Sequence, residues 1–64
     1  MTLRDMRDSR GDSIRLLAHR ADVPPQSITR WESGDRDPHR MRLDTACRLA
    51  TALGLSLDDF WANL

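Results

Sequence analysis

SIRLLAHRADVPPQSITRWESG, residues 13–34, decides how this 64-residue chain folds. Ile14, Leu17, Ala18 and Ala21 stand at i, i+3, i+4 and i+7, the spacing of one helical stripe. Ser13, just ahead of them, is a favourable N-cap. Leu16 lies off the stripe and is expected at the surface. Asp22 stands where this helix must end. Pro24-Pro25 cannot lie inside a helix, but proline is favoured at the first helical position. Pro25 also holds Pro24 extended, which suits an N-cap residue. A helix is therefore predicted to start near Pro25 and run to Gly34. The turn between the two helices is only three or four residues long. Such a turn cannot let them fold back in parallel contact, so they should meet at a steep angle.

Helix punctuation continues on both sides. Thr2 and Asp5 form a capping-box pattern, opening a helix that carries Leu3 and Met6 and stops at Gly11. DRDPHRM, residues 35–41, reads as a polar loop. A fourth helix follows with Leu43, Ala46, Cys47, Leu49, Ala50 and Leu53 as its apolar set, ending at Gly54. Cys47, within that set, is expected to be a small buried core residue. Ser56 and Asp59 repeat the capping-box pattern. Leu57, Phe60, Trp61 and Leu64 then form the stripe of a short fifth helix. No strand alternation is present. The expectation is an all-α fold of five short helices, one domain over residues 1–64.

Composition excludes several classes. A chain of this length hides only about 60% of its unfolded surface, which leaves no room for a second, ligand-sensing domain. No apolar run approaches membrane-spanning length. MTLRDMRDSR carries charge with no apolar stretch behind it, unlike a signal peptide. One cysteine cannot form an internal disulfide or a four-ligand zinc site. The expected location is the cytoplasm. His19 and His39 have no matching ligands, so no metal is expected. Asp58 and Asp59 are adjacent on a helix and do not face each other; they read as N-terminal helix charge. No nucleophile–base set and no glycine-rich phosphate loop appears. The chain is therefore not expected to be an enzyme, to hold a cofactor or to bind a small molecule. The net charge is zero, with ten basic and ten acidic residues. The basic ones are all Arg, which forks onto phosphates and guanine edges better than Lys does. Residues 43–64 lean acidic, with Arg48 alone against Asp44, Asp58 and Asp59, and the first two thirds lean basic.

Taken in order, these residues resemble the lambda-repressor and Cro-like (XRE) helix-turn-helix family. The likeness rests on Ser13 as cap, Leu17-Ala18, Val23 in the turn, Ile28, and Trp31-Glu32 before Gly34. LRDMR is similar to the family's first helix and LATALGLSLDDF to its last two, so the likeness runs from Leu3 to about Trp61. Three positions depart from the pattern. Asp22 replaces the usual Gly at a left-handed position, Ile14 replaces a frequent phosphate-binding Gln, and the loop after Gly34 is about three residues longer. The resemblance implies a structural ion pair between Arg7 and Glu32.

A third helix of this pattern turns Ile28 and Trp31 inward. Pro25, Gln26, Thr29 and Arg30 then project from the other side, as base-contacting residues of a recognition helix in a major groove. Gln26 suits adenine and Arg30 suits guanine. Thr29 offers a methyl or a hydroxyl, and Pro25 an apolar contact. Without the turn and its flanks, the same face would read as ordinary solvated helix. Phosphate contacts are assigned to Ser13 and Ser27 at two helix N-termini, to Arg15, Arg36, Arg40 and Arg42, and to His39 as a helper. Trp61 and Leu64 exceed what a small core needs and are assigned to a two-fold dimer interface, the alternative being Trp61 as a lid on the monomer's core. The partners expected are double-stranded DNA and a second copy, with no membrane. The reading is a dimeric, sequence-specific transcriptional regulator on a palindromic site, a repressor because occlusion needs no sensing domain. The alternative is a protein-interaction module, such as the antitoxin of a toxin–antitoxin pair, with Leu16 and Trp61 as the partner surface.

Overall fold

Thr2 opens the first helix through both halves of the expected box. Its hydroxyl accepts from Asp5 N–H at 3.2 Å and its own N–H donates to the Asp5 carboxylate at 3.0 Å. Hydrogen bonding by Thr2 holds the Asp5 carboxyl below its ordinary pKa. The computed structural model describes residues 2–64. It contains α1 (Leu3–Ser9), α2 (Ile14–Ala21), α3 (Pro25–Ser33), α4 (Leu43–Ala52) and α5 (Leu57–Ala62). The described residues contain no strand, and the all-α expectation of five helices stands. The loop of residues 35–41 is more ordered than its polarity implies. Pro38–Arg40 forms a 3-10 turn, because Asp37 caps it through His39 N–H at 3.0 Å.

Local chemistry sets the ends of α2 and α3 as the residues dictate. Ser13 Oγ accepts from Leu16 N–H at 3.1 Å. Pro24 is the extended N-cap of α3 and Pro25 its first residue. Gly34 closes α3 in the left-handed region at φ 84°. Asp22 closes α2 in the same region at φ 55° and is the only non-glycine residue of those described with positive φ. At α5 only half of the second box forms, with Ser56 Oγ accepting from Asp59 N–H at 3.1 Å.

The core is built by helices that cannot bury their faces alone. Leu17, Ile28, Leu49 and Phe60, one each from α2, α3, α4 and α5, are completely buried. Leu3 and Met6 of α1 join them, as do Ala18, Ala21, Ala46 and Ala50, whose small side chains let α2 and α4 approach closely. Val23 in the turn is buried too. Two expectations for α4 are corrected. Cys47 is exposed, and Leu43 is 70% exposed. Leu43 lies in an open cleft beside α5, and Cys47 in an open depression beside Arg20 of α2. Among the described residues, no helix is long and apolar enough to cross a membrane.

The left-handed backbone at Asp22 costs a residue with a Cβ more than glycine. Asp22→Gly should therefore raise stability by about 0.5 kcal/mol, the relief being partly offset by the greater freedom of glycine in the unfolded chain. Urea unfolding of the two chains measures this, with an unchanged or lowered midpoint counting against it.

Candidate nucleic-acid interface

The face of α3 is set by what holds its other side. Ile28 and Trp31 are buried. Successive helical residues turn by about 100°, so the positions between them must point away from the core. Pro25, Gln26, Thr29 and Arg30 are all exposed and line one shallow open depression. The structure thus brings together the four residues assigned to base contact. Thr29 Oγ1 donates to the Pro25 carbonyl at 3.2 Å, so its hydroxyl proton is engaged within the helix.

Arg7 anchors the C-terminal half of α3. Its Nε and Nη2 donate to the two carboxylate oxygens of Glu32, at 2.8 and 3.0 Å, and its Nη1 donates to the Asp12 carbonyl at 2.8 Å. The two side chains are only 11% and 9% exposed. This is the fork geometry that arginine makes with a carboxylate. Hydrogen bonding to Glu32 lifts the guanidinium pKa above its ordinary value, against the opposing effect of burial. The ion pair implied by the resemblance is present. One neighbouring pair escaped the sequence reading. Asp12 is buried at the α1–α2 turn and takes Arg20 Nη1 at 3.1 Å. Nothing in the linear order of Asp12 and Arg20 marks them as partners.

The remaining assigned residues fall into two groups. Ser13, Arg15, Arg36, Arg40 and Arg42 are exposed, and Ser27 is half-buried. Ser13 already uses its hydroxyl as a cap. The backbone N–H of Ser27 donates to the Pro24 carbonyl at 3.0 Å, which leaves its hydroxyl as the group for a phosphate contact. Arg36, Arg40 and Arg42 share a groove of about 360 Å³ with Ser27 on α3 and with Thr45 and Arg48 on α4. Thr45 and Arg48 were not singled out from sequence. Arg42, Thr45 and Arg48 recur at i, i+3 and i+6, a polar stripe that was legible in principle.

Ion pairing sorts the arginines. Arg4, Arg7, Arg10, Arg20, Arg42 and Arg48 each have a carboxylate within 4.0 Å. Among the described residues, Arg15, Arg30, Arg36 and Arg40 have none. All four belong to the set assigned to DNA. His39 is placed differently from the arginines. Its ring meets Trp61 edge-on at a centroid distance of 5.4 Å, and its Nδ1 lies 3.4 Å from Asp37. Trp61 is 40% exposed, while Leu64 is half-buried against the core. Met41, Leu43, Leu57, Trp61 and Ala62, with Asp58 at the edge, line a mainly apolar cleft of about 430 Å³. Leu43 was read from sequence as part of the core-facing set, and its place on this rim was missed.

A family model described as Helix-turn-helix matches residues 3–60, nearly the whole chain. Searches of curated proteins and of solved structures gave no match.

Removing one partner of a nearly buried ion pair leaves the other charge uncompensated. Glu32→Ala should cost about 3 kcal/mol of stability. A denaturant midpoint within error of the wild type would show that the pair does not anchor α3.

Proposed function

The chain belongs to the lambda-repressor-like (XRE) helix-turn-helix family of DNA-binding domains, and we propose that it is a sequence-specific transcriptional regulator that reads a palindromic operator as a dimer. The observation that carries this reading is the distribution of unpaired charge. A protein of zero net charge has little long-range attraction for DNA. Its four arginines without a carboxylate partner nevertheless lie on α2, on α3 and in the loop after α3. Gln26 and Arg30 project from the outer face of α3, where an amide can pair with adenine and a guanidinium with guanine. Arg15, Arg36, Arg40 and Arg42, with Ser13 and Ser27, supply phosphate contacts on either side, and His39 lies within the same loop.

The proposed occupant of the apolar cleft is a second copy of this chain. Leu43 and Trp61 leave large apolar side chains in water, and such patches mark association surfaces. Each copy measures 24 × 23 × 21 Å. Two in contact can set equivalent helices about 34 Å apart, one turn of duplex. Trp61, on that cleft, then acts as an interface residue; Leu64, assigned with it from sequence, lies outside the cleft lining and packs against the core. Occupancy of a promoter is sufficient for repression, and the regulator is read as a repressor. A protein partner on the same cleft, as an antitoxin would have, is the competing reading; Leu16 lies outside the cleft lining and does not extend it.

Selection from random duplex DNA should enrich a two-fold symmetric site. Arg30→Ala should lose about 1–3 kcal/mol of discrimination at one base pair while keeping weak binding to other sequences. Enrichment of no duplex at moderate salt would reject the DNA-reading function and favour the protein partner. In sedimentation, Trp61→Arg should shift the chain from dimer to monomer, and a wild-type chain that is monomeric both free and on its site would reject the dimer.

A further inference from the structure

The groove between α3 and α4 is lined by four arginines, two hydroxyl residues and one carboxylate: Arg36, Arg40, Arg42 and Arg48, with Ser27 and Thr45, against Asp37. We propose that Arg48 on α4 extends the phosphate-contacting set of the loop, and that Asp44 occupies its guanidinium in the free protein and competes with DNA for it. The proposal rests on the DNA-binding reading and adds to it a residue, a second element and a charge-exchange step.

Three observations carry it. First, the groove adjoins the base-reading face. Ser27, on the wall of the groove, lies about 60° round α3 from Arg30, so the groove flanks the face proposed to meet bases. Second, Arg48 is partly ordered before any ligand arrives. Its side chain is 44% exposed, against 84% for Arg42. A side chain already half covered loses less freedom on binding than one extended into water. Third, one carboxylate bridges the two arginines of α4 and its cap. Asp44 Oδ1 lies 3.3 Å from Arg42 Nε and Asp44 Oδ2 lies 3.7 Å from Arg48 Nη1. Asp44 is half exposed, so these ion pairs are screened and weak. A phosphate offers the same pair of oxygen acceptors and can take both arginines from it. Asp44 therefore occupies the two guanidinium groups in the free protein and competes with DNA for them.

The test is the salt dependence of binding to the selected duplex and to an unrelated one, followed by anisotropy. Each phosphate contact contributes about 0.9 to the slope of log K against log salt. Arg48→Gln should lower that slope by about 0.9 and weaken both duplexes alike, leaving the sequence preference intact. Asp44→Asn should tighten both duplexes, a gain that misfolding cannot produce. Arg4→Gln, on the exposed side of α1, should leave the slope unchanged. A wild-type slope in Arg48→Gln, or no gain in Asp44→Asn, would overturn the roles of Arg48 and Asp44 while the wild type still reads its site. Failure of the wild type to bind any duplex would overturn both this proposal and the DNA-binding regulator reading.

Discussion

The guanidinium of Arg7 donates three hydrogen bonds, two to Glu32 on α3 and one to the backbone of Asp12 at the α1–α2 turn. A single planar group thus ties α1, the following turn and α3 together. A fork geometry admits little rotation, so it fixes the roll of α3 as well as its distance. Burial of Ile28 and Trp31 fixes the same roll from the other side. With both in place, Gln26, Thr29 and Arg30 have no direction left but outward. Such a pair adds modestly to net stability, because both charges lose water. Its effect is to choose one orientation among several that the short apolar faces would accept.

Charge in this molecule is organised by pairing and not by excess. Equal numbers of acids and bases hide the asymmetry from any whole-chain count. Acids neutralise the arginines of α1, the end of α2 and α4. The N-terminal turn of α2, the outer face of α3 and Arg36 and Arg40 in the loop keep theirs. A local surface can therefore carry positive potential on a neutral protein, and a low background attraction for arbitrary DNA favours discrimination by base contacts.

The loop between α3 and α4 borders both proposed surfaces. Arg36 and Arg40 face the basic groove, and Met41 lies at the wall between groove and apolar cleft. His39 leans on Trp61 at the cleft's edge. Asp37 stabilises this arrangement by capping the 3-10 turn. Pro38–Arg40 of the loop thus forms a defined turn, where polarity alone reads as an unstructured connection.

Sequence by itself determined the five α-helices of this protein, and for a local reason. Caps, prolines and left-handed residues act within three or four positions, so Ser13, Pro24-Pro25, Asp22 and Gly34 carry their information in the linear order. The outward face of α3 was legible too, because its apolar positions are few and unambiguous. On α4 the apolar residues occupy more than one side of the helix. Which side is covered depends on where α2 and α5 pack, and so Cys47 and Leu43 lie exposed where their spacing implied burial. Arg20 with Asp12, and Arg48 beside the loop arginines, are likewise products of tertiary structure. Partners brought together from separate turns and helices leave no trace in the spacing, since their distance is set only when the core closes.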